Sequence, residues 1–301
     1  MFIGVDAPDF NLDLERNLRA AGIKTVHFVC PSIWAWRPER VEKIRASVDH
    51  VLCIFPFEPE LLARHGIAAT YVGHPLLDTV RTKYTRQEAL QKFDLQEGAT
   101  TVGLLPGSRD TEIARLLPVM MYAAEILVKK LPRVQFVLPL AETLEQAFVE
   151  NILQQSPVPV RIVQNDTYDA IHSADIVIVA SGTATLETAL LGKPMVIVYK
   201  VSPLSYYIGK KIVTVAHIGL ANIIAGKTIV PELIQDEANP ERIATEVVNI
   251  LNDEARMQNI RLELDLIREK LGGPGAAERT ATLACSMLGD KDDSQWISLT
   301  V

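Results

Sequence analysis

Ile176-Val177-Ile178-Val179-Ala180-Ser181-Gly182-Thr183-Ala184-Thr185-Leu186-Glu187 decides the fold class. Its first four residues form a continuous apolar, β-branched run, the pattern of a strand buried on both faces in a parallel sheet. Small hydroxylated residues follow at once, and then a helix that carries a carboxylate near its first turn. Strand, short polar turn and helix in that order make half of a βαβ unit. In an open α/β sheet, ligands bind beyond the carboxyl ends of the strands, so the residues just after each strand are the first places to look for chemistry.

The same alternation runs through the rest of the chain. Upstream, strands are expected at 2–5, 24–29, 51–54 and 69–72, with helices near 11–21, 38–46 and 58–65 between them. Gly73-His74-Pro75 punctuates this block, and Asp78 to Gln87 lacks periodicity and reads as a linker. Thr101-Val102-Gly103-Leu104-Leu105 opens a second block, with Pro106-Gly107-Ser108-Arg109 and a long helix to about Lys130 behind it. Further strands fall at Val134 to Leu138, Val160 to Val163, Ile176 to Val179 and Met195 to Tyr199. Three helices, near 240–252, 254–271 and 276–288, close the pattern.

The expected organisation is therefore α/β with two Rossmann-like doubly wound lobes, the first incomplete. Residues 1–77 form a partial lobe, 78–100 the linker and entry, 101–289 the second lobe with the terminal helices, and 290–301 a polar tail. A first block of this size is about half of an ordinary doubly wound domain and leaves one sheet edge bare. Met1-Phe2-Ile3-Gly4-Val5-Asp6 starts abruptly on an apolar strand of central-strand character. It reads either as a domain that begins on its first strand or as a shortened chain.

Composition narrows the class further. The 301 residues are 48% hydrophobic and 22% charged, which excludes a disordered or collagen-like chain. A net charge of −7 argues against nucleic acid as the partner. No charged, then apolar, lead segment opens the chain and the apolar run near 176–199 is broken by Glu187 and Lys193, so the expectation is a cytoplasmic protein without a spanning helix. Cys30, Cys53 and Cys285 are widely spaced and odd in number, and the six histidines show no ligand spacing, so neither a disulfide framework nor a built-in metal is expected. Gly226-Lys227-Thr228 is no P-loop, because Ala221 stands where its first glycine belongs and no strand is expected before it.

Candidate chemistry follows the strand ends. Asp6 sits on the last step of the first strand, where it is a general base or a structural carboxylate, whereas Asp9 reads as an N-cap. Trp34 and Trp36 beside Arg37 make either a flat apolar wall for a ligand or a hydrophobic plug. His74 either binds a phosphate or hydroxyl or satisfies a loop carbonyl. Gly107, Ser108 and Arg109 form a glycine-bearing turn ahead of a helix, suited to an anion, with the guanidinium as a bidentate cation; the alternative is a plain helix start. Ser181, Gly182, Thr183 and Thr185 let a phosphate approach the next helix, and Glu187 can take ribose hydroxyls; capping alone needs fewer small polar residues. Asn222 and Glu232 are lesser candidates on loops.

Taken together, Gly4 to Asn11, Pro31-Ser32-Ile33-Trp34-Ala35-Trp36-Arg37, Gly73-His74-Pro75, Leu105 to Arg109, Ser181 to Glu187 and Asn222-Ile223-Ile224-Ala225-Gly226 closely resemble the lipid-A-disaccharide synthase family over essentially the whole chain. The resemblance implies a GT-B architecture with the active site between two lobes. It also implies a cofactor-free, metal-independent hexosyltransferase that transfers 2,3-diacylglucosamine from UDP, with inversion, to the 6-hydroxyl of 2,3-diacylglucosamine 1-phosphate. On the family pattern Asp6 is the general base and Arg109 serves the donor diphosphate. Gly107, Ser108, Ser181, Gly182, Thr183, Thr185, Glu187 and Asn222 bind the nucleotide sugar. Trp34, Trp36, Arg37 and His74 are candidates for the acceptor side. Acylated substrates imply a peripheral place at the inner-membrane surface, for which Pro203 to Val213 reads as an interfacial or a buried helix; a homodimer is compatible. Family members carry a further stretch ahead of the Gly4 strand, which leaves a partial, UDP-sugar-binding chain as one rival and a GT-B relative or epimerase with another acceptor as the second.

Overall fold

The computed structural model describes residues 1–202, 206–207 and 216–288. The chain divides into two compact units, one holding Met1–Thr79 and the chain from Leu271 on, the other the residues from Val80 to Lys270 apart from a few in the undescribed stretch.

Unit 1 is built from β1 (Phe2–Val5), α1 (Pro8–Ala20), β2 (Thr25–Phe28), α2 (Arg40–Ser47), β3 (His50–Cys53), α3 (Glu58–Ala63), β4 (Ala69–Tyr71) and the short α4 (Leu76–Thr79). All four strands are parallel, in the order β1-β2-β3-β4, with Phe28 opposite Val5 and Leu52 opposite Phe28. The order never reverses, so this sheet has the winding of half a doubly wound domain and no switch point. Side chains alternate between faces along β3. Val51 and Cys53 pack with Leu12 and Ile44 under α1 and α2, and Leu52 joins Val26 and Val72 on the other face. β1 departs from its expected central character. It is the sheet's edge strand, and Ile3 and Val5 are 40% and 58% exposed.

Unit 2 contains α5 (Arg86–Lys92), β5 (Thr100–Leu105), α6 (Asp110–Lys130), β6 (Val134–Leu140), α7 (Gln146–Leu153), β7 (Val160–Gln164), α8 (Thr167–Ser173), β8 (Ile176–Ala180), α9 (Thr183–Leu190), β9 (Met195–Tyr199), α10 (Leu220–Ala225), β10 (Glu232–Ile234), α11 (Pro240–Asn252) and α12 (Glu254–Leu271), the last ending at the unit boundary. Its six parallel strands run β10-β9-β8-β5-β6-β7. Counted from the first strand of the unit, that is 6-5-4-1-2-3, the Rossmann order, and the winding reverses between β5 and β8. Every residue of β8 is buried, as its unbroken apolar run requires. The expected linker is partly helical: Thr85 and Glu88 form a reciprocal capping box that starts α5.

The terminal helices do not all belong to the second block, as the sequence suggested. The last, α13 (Ala276–Leu288), lies in unit 1, where Leu283 and Met287 cover the Val26–Leu52–Val72 face. Arg279 fastens it there, donating from Nε to the Val72 carbonyl at 2.7 Å and from Nη1 and Nη2 to Pro274 and Gly273. Asp78 receives the Gly275 amide at 2.7 Å. The proposed interfacial segment, Pro203 to Val213, lies outside the described residues except for Tyr206 and Tyr207.

Gly73 stands two residues beyond β4 at φ 94°, and a Cβ there would stand 2.2 Å from the Arg279 guanidinium. Gly73→Ala therefore meets both a disfavoured backbone and an occupied space. We expect a stability loss of roughly 1–3 kcal/mol, read as a lowered thermal midpoint; Arg279→Ala/Gly73→Ala should lose less than the sum of the two single variants.

Candidate functional site

The turns after β5 and β8 flank the switch point of unit 2, because those two strands are neighbours and pair from Val102–Ile176 to Leu105–Val179. After β5 the chain turns through Gly107 at φ 121° and enters α6 at Asp110. Arg109 is the N-cap residue without a side-chain cap bond, and its side chain is 77% exposed. Sequence reasoning missed Glu112. It folds back over the turn, accepts the Ser108 amide at 3.1 Å and the Arg109 Nη1 at 2.8 Å, and packs so closely that a Cβ on Gly107 would meet it at 2.5 Å. Its carboxylate thus takes the donors that an external anion would use. Glu three residues after the N-cap is the signal that could have flagged it.

After β8, Gly182 at φ 149° is the N-cap of α9, and no side chain caps that helix. The hydroxyls have other partners. Ser181 donates to the Ile218 carbonyl at 2.8 Å; Thr185, fully buried, donates to the Gly182 carbonyl at 2.7 Å and accepts the Leu220 amide at 3.1 Å. Gly182 and Thr183 are exposed, so the amino end of α9 is open to solvent with its dipole uncompensated by a side-chain cap. Glu187 is half-buried one turn in. Burial raises its pKa, and a 3.3 Å hydrogen bond from the Tyr168 hydroxyl works against that rise.

Asn222, expected on a crevice loop, is instead fully buried in α10. Its Oδ1 accepts the Ile229 and Val230 amides and its Nδ2 donates to the Val230 carbonyl and to Glu232. Glu232, expected on a loop, is the first residue of β10 and also receives the Ile218 and Gly219 amides. The pair braces the 218–222 backbone against the Ser181 turn.

In unit 1, Asp6 and Ala7 follow β1 with φ of 47° and 43°. Two consecutive non-glycine residues in the left-handed region cost on the order of 1–3 kcal/mol each. Asn11 holds them, its Nδ2 donating to the carbonyls of Val5 at 3.1 Å and Asp6 at 2.8 Å. The Asp6 residue is exposed at the carboxyl end of the sheet. Asp9 does not cap α1, which begins at Pro8 behind Ala7. It is ion-paired to Arg40 and, at 3.4 Å, to Arg37, joining this turn to the loop after β2.

The two tryptophans take different roles. Trp34 is half-buried, edge-on to Phe55 and Phe57 at 5.9 and 5.4 Å, and donates its Nε1 to Glu58 at 3.0 Å. Trp36 is exposed, with the guanidinium of Arg37 4.5 Å above its ring. His74 is buried against Phe55 and accepts the Leu76 amide on Nδ1 at 3.1 Å, with desolvation pushing its pKa down to about 4. A neutral, inward imidazole satisfies the loop and offers no cation to a phosphate. The wide spacing of Cys30 and Cys53 also misled. They stand at the carboxyl ends of adjacent strands, and with Glu58 they form a buried cluster whose ligand atoms all lie within 4.8 Å of one another.

A concavity of about 840 Å³ in unit 2 lies at the opposite end of the sheet, lined by Arg133, Val134, Gln135, Val160 and Arg161 at the amino ends of β6 and β7. It contains none of the candidate residues.

The Rossmann winding and switch point of unit 2, beside the parallel sheet of unit 1, are consistent with the GT-B type, the architecture of glycosyltransferases and nucleotide-sugar epimerases. Solved structures agree. The Staphylococcus aureus MnaA–UDP co-structure is similar with a TM-score of 0.64 at 12% identity, over 95% of this chain and 75% of that one. A UDP-N-acetylglucosamine 2-epimerase described as putative, from Listeria monocytogenes, has a TM-score of 0.61 at 14% identity, over 99% and 77%. The family pattern of lipid-A-disaccharide synthetase matches residues 1–285, and the chain belongs to that family. The lipid-A-disaccharide synthase of Syntrophus aciditrophicus is 49% identical over 97% of this chain and 76% of its own length, and that of Geobacter sulfurreducens 45% over 96% and 75%. Among the described residues no helix is long and apolar enough to cross a membrane.

The lowered His74 pKa has a defined pH signature. The folded imidazole stays neutral down to about pH 4, while the unfolded one protonates below about 6.5. The unfolded state then binds more protons, so this contribution is intact above about 6.5 and is lost as pH falls to about 4. Urea unfolding of wild type and His74→Asn should diverge above that window and converge by up to about 3 kcal/mol through it. Glu58, raised to about 7 by burial, runs the opposite way in both proteins and cancels in the difference.

Proposed function

We propose that this chain transfers 2,3-diacylglucosamine from UDP, with inversion, to the 6-hydroxyl of 2,3-diacylglucosamine 1-phosphate, giving the β(1→6) disaccharide and UDP without a cofactor. The observation that carries the donor half is the pair of turns at the unit 2 switch point, with an exposed guanidinium on one and an uncapped helix start on the other. UDP leaves with growing negative charge. In the reading proposed here, Arg109 exchanges Glu112 for the diphosphate, and the amides of Gly107 and Ser108 with the amino end of α9 meet the remaining charge. Gly182 and Thr183 leave room for the phosphates to approach, and Glu187 takes the ribose hydroxyls. Ser181, Thr185 and Asn222 act by holding the turn, since their polar atoms are engaged within the protein.

For the acceptor, a sugar hydroxyl has a pKa far above neutral and must lose its proton as the new bond forms. Asp6 is the proposed base, supported by its exposure and by the strained, Asn11-braced turn that presents it. Trp36 and Arg37 are the proposed acceptor-side contacts, whereas Trp34 and His74 support the loops beneath them. Asp6→Asn should lower kcat with labelled donor and acceptor by at least about 100-fold while UDP affinity by calorimetry changes less than about twofold. Undiminished turnover would remove Asp6 from the role, and UDP binding by a wild-type chain that shows no turnover would leave a nucleotide-sugar-binding protein.

Both proposed substrates carry acyl chains, so we place the protein at the inner-membrane surface through the aromatic and basic 203–213 segment. Polar replacement of Tyr206, Tyr207 and Ile208 should reduce co-sedimentation with anionic liposomes, and unchanged association with the fold intact contradicts that placement.

A further inference from the structure

We propose that Cys30, Cys53 and Glu58 form a binding site for a thiophilic divalent cation of the Zn²⁺ or Cd²⁺ class. The three donors come from the ends of rigid elements. Cys53 is the last residue of β3, Glu58 the first of α3, and Cys30 follows β2 behind Val29, whose φ of 76° turns the chain and whose amide bonds to the Leu52 carbonyl at 3.0 Å. All three residues are at most 3% exposed. Their ligand atoms lie within 4.8 Å of one another. A tetrahedral ion with bonds of roughly 2.0–2.3 Å needs donors roughly 3.5–3.8 Å apart, so at most about 1.3 Å of contraction is required.

Two further observations make this more than a pair of core thiols. First, Glu58 is a buried carboxylate, and no lysine, arginine or histidine among the described residues forms an ion pair with it. Burying a charge without a counter-charge is costly, and a bound cation would supply the missing one. Second, its oxygens are already oriented. Oε1 accepts Trp34 Nε1 at 3.0 Å, and Oε2 accepts the amides of Ile54 at 3.2 Å and Phe55 at 3.0 Å. These occupy three of about four acceptor positions, and the Cys30 Sγ, which donates to the Pro31 carbonyl at 3.4 Å, stands within 4.8 Å of both the carboxylate and the Cys53 sulfur. Donors that fix a ligating carboxylate are the usual outer support of a metal ligand.

Binding follows a balanced exchange. Two thiols each give up a proton to solvent as two metal–sulfur bonds form, the Glu58 carboxyl gives up its own where it still holds one and supplies the third bond as carboxylate, and no electron is transferred. The resulting unit carries one net negative charge, which the three N–H donors on Glu58 offset. Because protons leave, affinity rises with pH. The ion would tie the start of the Pro31–Arg37 loop to the same carboxylate that holds Trp34, and so would stiffen the loop that carries Trp36 and Arg37.

The test is titration of the full reduced chain with Cd²⁺, followed by sulfur-to-cadmium charge-transfer absorption. We expect saturation at one equivalent, with affinity reduced at least tenfold in Cys30→Ser, Cys53→Ser and Glu58→Gln, and unchanged in Cys285→Ser. No absorption change in the wild type overturns the proposal, as does a change that survives Cys30→Ser and Cys53→Ser. Should those variants fail to fold, X-ray absorption of the Zn²⁺-loaded wild type decides: two sulfurs with at least one oxygen support the site, and a shell with fewer than two sulfurs rejects it.

Discussion

Each parallel sheet leaves its strands' carboxyl ends side by side, and the backbone of the turns there must find partners without the help of a neighbouring strand. Buried polar side chains meet that need in both units. Asn11 holds the Asp6 turn, Glu58 the Trp34 loop and the turn into α3, Asn222 with Glu232 the 218–222 backbone, and Thr185 the link between that backbone and Gly182. Residues that touch no ligand in this arrangement therefore decide where the exposed ones stand. Removing one partner of such a network leaves a buried group unsatisfied, which costs about 1–3 kcal/mol and shifts the turn it held.

The arrangement separates residues that face outward from those that support them. Asp6, Trp36, Arg37, Arg109 and Thr183 are exposed, whereas Trp34, His74, Thr185 and Asn222 are half or fully buried and engaged within the protein. Arg109 and Glu112 balance each other's charge at the turn after β5. The carboxylate holds the guanidinium and the Ser108 amide in place, and an exposed pair of this kind contributes only about 0–1 kcal/mol.

The strands were legible because a parallel sheet writes itself as apolar runs of four to six residues bounded by turn residues, and β1 to β9 lie where those runs are. β10 was not, because Glu232-Leu233-Ile234 opens on a carboxylate behind Pro231 and shows no apolar run, and α5 was not, because Arg86, Gln87, Glu88, Gln91 and Lys92 make it read as a polar linker. Nor could periodicity say which unit α13 covers, since Leu283 and Met287 would suit any apolar face and the choice is made by Arg279 reaching the Val72 carbonyl. In the candidate site, residue types placed directly after long strands were readable, and Asp6, Arg109 and the Ser181 turn stand at strand ends. What sequence could not supply was inward or outward direction. Asn222 looks like a ligand contact until its four hydrogen bonds are seen, and Cys30 and Cys53 look unrelated until β2 and β3 bring their ends together.

The central claim is that the nucleotide occupies the carboxyl end of the unit 2 sheet at its switch point. Hydrogen–deuterium exchange of the whole chain with and without saturating UDP tests it most directly. Protection should concentrate in the peptides spanning 106–112 and 181–187. Protection confined to 133–136 and 158–162, the 840 Å³ concavity at the other end of the strands, would contradict the account, as would a nucleotide that protects neither.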